Sequence, residues 1–302
     1  TDMIRRLRAA TEDARPTDLD GRTENLLWQT LWGTWAPDSD DPMTADRLTA
    51  YLIKASREQK GWTTWSAPDI DREQGLTDYA THLLTDPDTA NELNAFAALT
   101  AKDVSSIILA NKAMALTWLG VADIYQGSEL TRTSLVDPDN RRAVDYDGEG
   151  GLRAMLSQVS AGSSPRTLDQ EKLRLTHRLA QLRAERPDTF VGPRSGYRAV
   201  PVTTSHAFAY ARLLDEEPDV VVIVRRLGRR LRRLGGWREE CVVLPDGQWT
   251  EVLTEESVDG GAQRLADVVG DLPVVVLARD RQAGRADTRE DRAEREAGGG
   301  TA

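Results

Sequence analysis

The sequence predicts a mixed α and β fold with a helical region first, one helix-to-strand unit in the middle and an antiparallel β region last. Apolar residues recur at helical spacing through residues 1–100, whereas short β-type runs separated by turn residues begin near residue 190. Between these regions an almost wholly apolar helix leads directly into a short apolar strand. That order is typical of a parallel α/β unit.

Composition narrows the class of protein. A chain of 302 residues accommodates one large or two ordinary domains. Its net charge of −10 argues against a general nucleic-acid binder, because phosphate repulsion is not offset. No unbroken apolar run reaches the length of a membrane span and no leader peptide is visible, so we expect no membrane partner. The single Cys241 excludes an internal disulfide and favours a reduced, cytoplasmic setting.

The helical region contains four predicted helices. They cover residues 24–35, 45–60, 74–84 and 88–99. In the first, Leu27, Leu31 and Trp35 fall on one line, and we expect Trp28 and Trp32 to join them in the core. In the second, Thr44 is a suitable N-cap and Gly61 ends the helix.

The middle of the chain predicts a helix over 104–119 that is buried on nearly all sides, followed by a buried strand over 121–125. Polar side chains come directly after this strand, as they do in sites at the carboxyl ends of α/β strands. Two more helices are predicted near 152–159 and over 168–186, where Pro187 ends the second.

The last region predicts a small antiparallel β domain. Its strands are expected at residues 197–202, 207–213, 220–224, 240–244, 249–253 and 274–277. Pro245-Asp246-Gly247 is predicted to form a hairpin turn between two of them. The arginine-rich run at 225–233 fits a solvated hairpin better than an anion site, because no aromatic residue is interleaved. Residues 280–302 predict a disordered tail.

Two neighbouring stretches combine the side chains that suit a polyhydroxylated ligand. Residues 120–130 and 134–146 together carry carboxylates, adjacent arginines, tyrosines and a glutamine, and sugar hydroxyls both donate and accept hydrogen bonds. Including one tryptophan from the helical region, the candidate substrate-binding residues are Trp65, Tyr125, Gln126, Glu129, Asp137, Asp139, Arg141 and Arg142. His82, His177 and His206 have no metal-like spacing, so no metal site is predicted.

The same stretches resemble the maltooligosyltrehalose synthase family of the alpha-amylase superfamily. Residues 120–130 closely follow the family string Gly-Val-Pro-Asp-x-Tyr-Gln-Gly-x-Glu-Leu, and 134–146 differ from Ser-Leu-Val-Asp-Pro-Asp-Asn-Arg-Arg-Pro-Val-Asp-Tyr only at Ala143. Weaker collinear matches lie at 47–58, 182–187 and 244–250. Departures from the family pattern include Leu119, Ala122 and the segment 131–133, where loop contacts with substrate are expected to differ.

The resemblance implies an architecture. Residues 1–100 would be a helical insertion subdomain, 101–188 the last helix-strand-loop-helix elements of a TIM-type barrel, and 189–279 an antiparallel β-sandwich, before the 280–302 tail. Because the chain begins with Thr1, either an initiator methionine has been removed or the sequence is a piece of a longer protein. The resemblance favours the second interpretation.

The resemblance also implies a function. The family converts the reducing-end α-1,4 linkage of a maltooligosaccharide into an α,α-1,1 linkage by intramolecular transglucosylation, with no metal or organic cofactor. Its catalytic carboxylates come from barrel strands that we expect to precede Thr1. The chain alone is therefore expected to be inactive, with a glucan substrate and the missing N-terminal half of the enzyme as partners. The alternative is a non-catalytic glucan-binding or interaction module.

Each candidate residue has a structural alternative. Tyr125, Gln126 and Glu129 either line a glucose pocket or hold their own loop. The aspartates and arginines at 137–142 either grip sugar hydroxyls or form an ion-pair network. For Trp65, as for Trp62, packing on a helix is favoured over a sugar platform. For four polar residues of one helix, a solvated position is favoured over a contribution to the pocket; they are Lys54, Arg57, Glu58 and Lys60. For Asp145 and Tyr146 a structural role is favoured.

Overall fold

The structure is a computed structural model that describes residues 2–36, 41–161 and 164–281. The helices are α1 (Asp2–Ala10), α2 (Gly21–Gly33), α3 (Ala45–Gln59), α4 (Ile70–Thr85), α5 (Pro87–Thr117), α6 (Leu152–Ser160), α7 (Leu168–Glu185), α8 (Pro187–Phe190), α9 (Gly228–Arg233) and α10 (Leu265–Val268). The strands are β1 (Ser195–Val200), β2 (Ala207–Leu214), β3 (Glu217–Arg225), β4 (Cys241–Glu251), β5 (Ser257–Arg264) and β6 (Val274–Arg279). Most of the predicted tail lies outside the described residues.

The chain divides into two compact units. The first contains residues 1–102 and the loop 132–144, and the second contains 103–131 and everything from 145 onward. The domain limits predicted from the sequence stay a prediction. The loop 132–144 thus belongs to the same unit as the helical region, although some thirty residues of chain separate the two.

The first unit is built from helices packed around an apolar core. Leu27, Leu48, Leu52 and Leu83 are fully buried there, and Leu135 of the 132–144 loop packs against the same core. The predicted Thr44 cap of α3 is confirmed, since its side chain accepts from the Arg47 amide. Further core members are Met3, Leu7, Trp28, Leu31, Leu76, Tyr79 and Leu93. This core fixes the helix on which the loop rests.

Two tryptophans of this unit differ from their predicted burial. Trp28 is in the core as expected, but Trp32 is 38% exposed and meets Phe96 edge to face. Trp62 packs on the core with Arg72 over its ring, whereas Trp65 is 59% exposed. The predicted packing role therefore holds for Trp62. Trp65 packs on the protein only to a small extent.

The second unit is built on a single six-stranded sheet of order β1-β2-β3-β6-β4-β5, with antiparallel neighbours throughout. An isolated bridge between Val202 and Val242 joins the chain after β1 to β4, so the sheet curls. β3 is buried on both faces, which explains its unbroken run of β-branched apolar residues at 220–224. One face meets α5 and α7 through Leu116 and Leu179. The mixed α and β class with an antiparallel sheet is confirmed.

Several predicted β elements need correction. Residues 240–244 and 249–253 are one strand, β4, and Pro245-Asp246-Gly247 forms an irregularity within it where the register against β5 shifts. The true partner, β5, was missed because its exposed, glycine-containing sequence lacks an apolar alternation. The second part of the arginine-rich run forms the short helix α9 instead of a hairpin, and Arg225 is the buried last residue of β3, not a solvated one.

The predicted strand at 121–125 is absent from the described structure. These residues have no strand assignment, and Val121 is 90% exposed. A strand exists only where a neighbouring backbone pairs with it. Within the described ranges all strand pairing involves residues 195–279 and the Val202 bridge, so none reaches this segment.

The long helix α5 also differs from expectation. It joins the predicted helices 88–99 and 104–119 into one, and only one side of its second half is buried, since Ile107 is 59% exposed while Leu109 and Ala113 are in the core. By length and composition α5 could cross a membrane, although core helices of soluble proteins pass the same test. The sequence prediction overlooked this because polar residues such as Lys112 interrupt the apolar run.

Candidate functional site

Within the first unit, the loop 132–144 is organised around Asp139. Its carboxylate accepts two hydrogen bonds from Arg47 on α3, Nε to Oδ1 at 2.8 Å and Nη2 to Oδ2 at 3.1 Å, and a third from the Leu135 amide at 2.7 Å. The Arg47 and Asp139 side chains are only 11% and 10% exposed. Such a two-pronged contact is the strong form of an arginine–carboxylate pair. Arg47 also donates to the Thr133 carbonyl oxygen.

Arg142 continues this network. Its guanidinium bonds Asp41 and lies 3.0 Å from the Asp139 carboxylate, and its backbone carbonyl accepts from Arg132 at 2.7 Å. The protein itself therefore satisfies the Asp139 carboxylate and two of the three guanidinium nitrogens of Arg142, whose buried Nη2 has no hydrogen-bond partner among the described residues. This geometry corresponds to the structural alternative considered for them, an ion-pair network that fixes a long loop.

The pKa values of the two carboxyls reflect this network. Burial raises the pKa of Asp139, but the hydrogen bonds from Arg47 and the Leu135 amide, with the charges of Arg47 and Arg142, outweigh burial and leave the pKa below its ordinary value. The hydrogen bond from Arg142 likewise lowers the pKa of Asp41. Both groups are thus held as carboxylates near neutral pH.

Asp137 and Arg141 lie on the exposed side of the same loop. They form an ion pair of 2.9 Å with side chains that are 51% and 61% exposed. Lys54 on α3 donates to the Asp137 carbonyl oxygen at 2.6 Å and lies 3.9 Å from Glu58. These groups retain free donors and acceptors toward solvent, so they are the loop members available to a ligand. A solvated position is the favoured prediction for Lys54, whose side chain is 24% exposed in the structure.

Trp65 presents a large exposed ring in the same unit. The Arg57 guanidinium lies 5.0 Å from the ring centroid, and Arg57 is in turn held by the buried Glu73 at 2.8 and 2.6 Å. Thr63 also bonds Glu73. The ring is therefore supported from one side by a fixed cation while its remaining surface is open.

Tyr125, Gln126 and Glu129 lie in the second unit, on the loop that follows α5. Tyr125 is 47% exposed, and Gln126 is also exposed. Glu129 is half-buried, and its Oε2 has no hydrogen-bond partner among the described residues. Gly127 adopts a left-handed conformation with φ 77°, which lets the loop turn.

Two lysines near this loop were not found by sequence reasoning. Lys112 of α5 is 8% exposed and lies 3.4 Å from the Ser128 hydroxyl, and Lys172 of α7 donates to the Leu130 carbonyl oxygen at 2.6 Å. The only sequence signal was a lone lysine inside an apolar helix. Arg47 was likewise noted as part of a motif but not as a partner of Asp139.

The described ranges, 2–36, 41–161 and 164–281, contain no group of three or more His, Cys, Asp or Glu side chains that could hold a metal ion. Cys241 is half-buried in β4, where its thiol contacts the Glu239 carbonyl oxygen at 3.3 Å. The chemistry available at both loops is therefore that of carboxylates, guanidinium groups, amines and aromatic rings.

Comparison with known proteins identifies relatives. No family model matches the chain. Two curated proteins named "Putative maltooligosyl trehalose synthase", from Mycobacterium tuberculosis strains CDC 1551 and H37Rv, are 36% identical over 266 residues. Each match covers 86% of this chain but 32% of the relative, so the chain spans about a third of the relatives' length.

Solved structures agree. The maltooligosyltrehalose synthase of Arthrobacter ramosus superposes with a TM-score of 0.73 at 29% identity, over 85% of this chain and 32% of that one. A hypothetical maltooligosyl trehalose synthase of Sulfolobus tokodaii superposes with a TM-score of 0.67 at 24% identity. This match covers 92% of this chain and 35% of that chain, and it supports the fold alone. The chain is therefore a relative of the maltooligosyltrehalose synthases and fits a C-terminal portion of such a protein.

Proposed function

We propose that this chain is the C-terminal portion of a glucan isomerase that turns the reducing-end α-1,4 linkage of a maltooligosaccharide into an α,α-1,1 linkage. The observation that carries the proposal is the 36% identity to named synthases over 86% of the chain, with the fold match alongside. The lone cysteine is in keeping with action in a reduced, cytoplasmic compartment.

Residues 101–188 would then contribute the last helix and strand elements of an amylase-type barrel, with the β region as the terminal sandwich. The extreme exposure of Val121 supports this interpretation, because an apolar strand segment without neighbours is what a barrel cut before its last strand would leave. The N-terminal portion of the same enzyme would supply those neighbours and the catalytic carboxylates.

The contribution of this chain would be to bind and enclose sugar. Asp137 and Arg141 have free polar groups on an exposed face, and Trp65 has an open ring suited to the apolar face of glucose. Tyr125, Gln126 and Glu129, on their own loop in the second unit, are separate candidates for sugar contacts. Asp139 and Arg142 would act indirectly, by holding the 132–144 loop in shape.

Retaining chemistry of this kind needs two carboxyl groups about 5 Å apart, one of which becomes the covalent glycosyl carrier. We assign no residue of this chain to either role. Sugar contacts from this chain would help keep the cleaved glucose from water until it is bonded again.

A chimera tests the proposal. The chain is joined to the N-terminal two-thirds of the Arthrobacter ramosus synthase, and loss of reducing ends from maltohexaose is measured beside the free chain and the parent enzyme. We expect activity in the chimera and none in the free chain. A folded but inactive chimera, with an active parent, would reject the isomerase role and leave a glucan-binding module, which calorimetry with maltohexaose would detect.

Within an active chimera, Arg141→Ala should raise the KM or the fraction of free glucose released, because an exposed sugar-binding donor is removed. The matched control is Arg22→Ala, an exposed arginine on α2. Equal KM and product ratios in the two variants would exclude Arg141 from the sugar site.

A further inference from the structure

Two ammonium groups, the buried Lys112 and the half-buried Lys172, lie beside the 125–131 loop in the second unit, and the isomerase chemistry uses neither. Lys172 reaches from α7 to the Leu130 carbonyl oxygen at 2.6 Å. Lys112 reaches from α5 toward the Ser128 hydroxyl at 3.4 Å and is 8% exposed. Burying two like charges side by side is costly, so their placement calls for a compensating interaction.

The loop provides that interaction. Asp169 at the start of α7 accepts from the Thr131 amide at 2.6 Å, next to the Lys172 contact. Glu129 lies near both lysines and has a buried Oε2 that no described residue bonds. Consecutive loop residues 128–131 are thus tied to two different helices by charged side chains.

We propose that Lys172 and Lys112 are positioning residues that fasten the 125–131 loop to α7 and α5 and so fix where Gln126 and Glu129 point. The relevance to sugar binding rests on the proposed function. The attachment of the loop to the two helices does not depend on the proposed function, because it involves only residues of this chain.

The fastening depends on pH. Burial lowers the pKa of Lys172 to about 8; the charge of Lys112 acts in the same direction, and Asp169 and Glu129 oppose it. Burial also lowers the pKa of Lys112, against the charges of Glu129 and Asp123. In an opened loop Lys172 would return to water and to its ordinary pKa of about 10.4.

The sign follows from proton linkage. The open loop binds protons more tightly than the closed loop, so raising the pH through about 8 favours the closed loop. A neutral amine can still donate to the Leu130 carbonyl oxygen, so deprotonation relieves the burial cost without breaking the contact.

Hydrogen exchange of the full chain tests the proposal. After correction for intrinsic exchange rates, protection of the 126–131 amides should rise roughly tenfold from about pH 7 to about pH 9 in the unmodified chain. Lys172→Arg, which cannot lose its proton, should abolish this rise. Lys172→Met should abolish it and lower protection at the higher pH by roughly tenfold. Gln181→Met, an exposed change on the same helix, should behave like the unmodified chain.

A second variant keeps the test decisive if Lys172→Met does not fold. Lys112→Met removes the neighbouring positive charge and should move the rise in protection to higher pH. A flat profile in the unmodified chain, or the same rise in Lys172→Arg, would overturn the proposal. An inactive chimera with the expected exchange profile would instead reject only the proposed function.

Discussion

At the scale of single residues, Arg47 determines the shape of the 132–144 loop. It is the partner of Asp139 in a contact from which solvent is largely excluded, and it also bonds the Thr133 carbonyl oxygen. Removing Arg47 takes two hydrogen bonds from the buried Asp139 carboxylate and leaves it only Arg142 and the Leu135 amide as partners. Hydrogen bonds to charged groups each contribute about 1.5–3 kcal/mol.

Arg47→Met should therefore destabilise the first unit by about 3 kcal/mol. Urea unfolding followed by tryptophan fluorescence measures the change, since this unit contains five of the eight tryptophans. Arg141→Met is the control and should stay within about 0.5 kcal/mol, because its ion pair is exposed. Equal effects of the two substitutions would show that Arg47 is no more important than a surface arginine.

The sequence identified the important polar residues but not how they are used. Asp139 and Arg142 were recognised from a local string, whereas the partner of Asp139 lies 92 residues earlier, on helix α3. Local patterns carry no information on such pairing. The same holds for Lys112 and Lys172, whose significance appears only when α5 and α7 are placed beside the 125–131 loop.

At the scale of elements, helices were predicted better than strands. Core-facing leucines such as Leu175 and Leu179 repeat at helical spacing in α7, and Thr167 caps it, so local sequence is sufficient there. β5 is largely exposed and shows no such repeat. Its position is set by backbone pairing with β4, which a one-dimensional pattern does not record.

Gly260 of β5 tests how tightly these two strands approach. A Cβ at this position would lie 2.6 Å from the Pro245 carbonyl oxygen and 2.8 Å from the Asp246 Cα. Gly260→Ala should therefore cost about 2 kcal/mol or more, measured by denaturation of the second unit.

The control is Gly33→Ala on α2, where a Cβ would meet nothing within 4 Å and helix propensity favours alanine. That variant should be neutral or slightly stabilised. If Gly260→Ala were as harmless as this control, β4 and β5 would be farther apart than described.

At the scale of the whole molecule, α5 differs from an ordinary core helix because one of its apolar sides is exposed. Val104 and Ile107 are 38% and 59% exposed. The sequence could not distinguish an exposed apolar face from a buried one, because an apolar pattern does not indicate which residues pack against it. Exposed apolar surface of this kind favours association.

Val104→Ser with Ile107→Ser should weaken self-association of the isolated chain at least about tenfold, since each buried side chain of this type contributes about 2 kcal/mol. Sedimentation velocity over a concentration series measures this. Ala115→Ser, exposed on the same helix, should leave association unchanged. A chain that stays monomeric throughout, before any substitution, would contradict the expectation.

The contact between Arg47 and Asp139 also has a consequence for inheritance. A crossover between two homologous genes anywhere between these two positions, which are 92 residues apart, would place the arginine and its loop in different parental sequences. Such a recombinant keeps a working loop only if both parents use the same pairing. Transfer of the loop to another scaffold would therefore require α3 to accompany it.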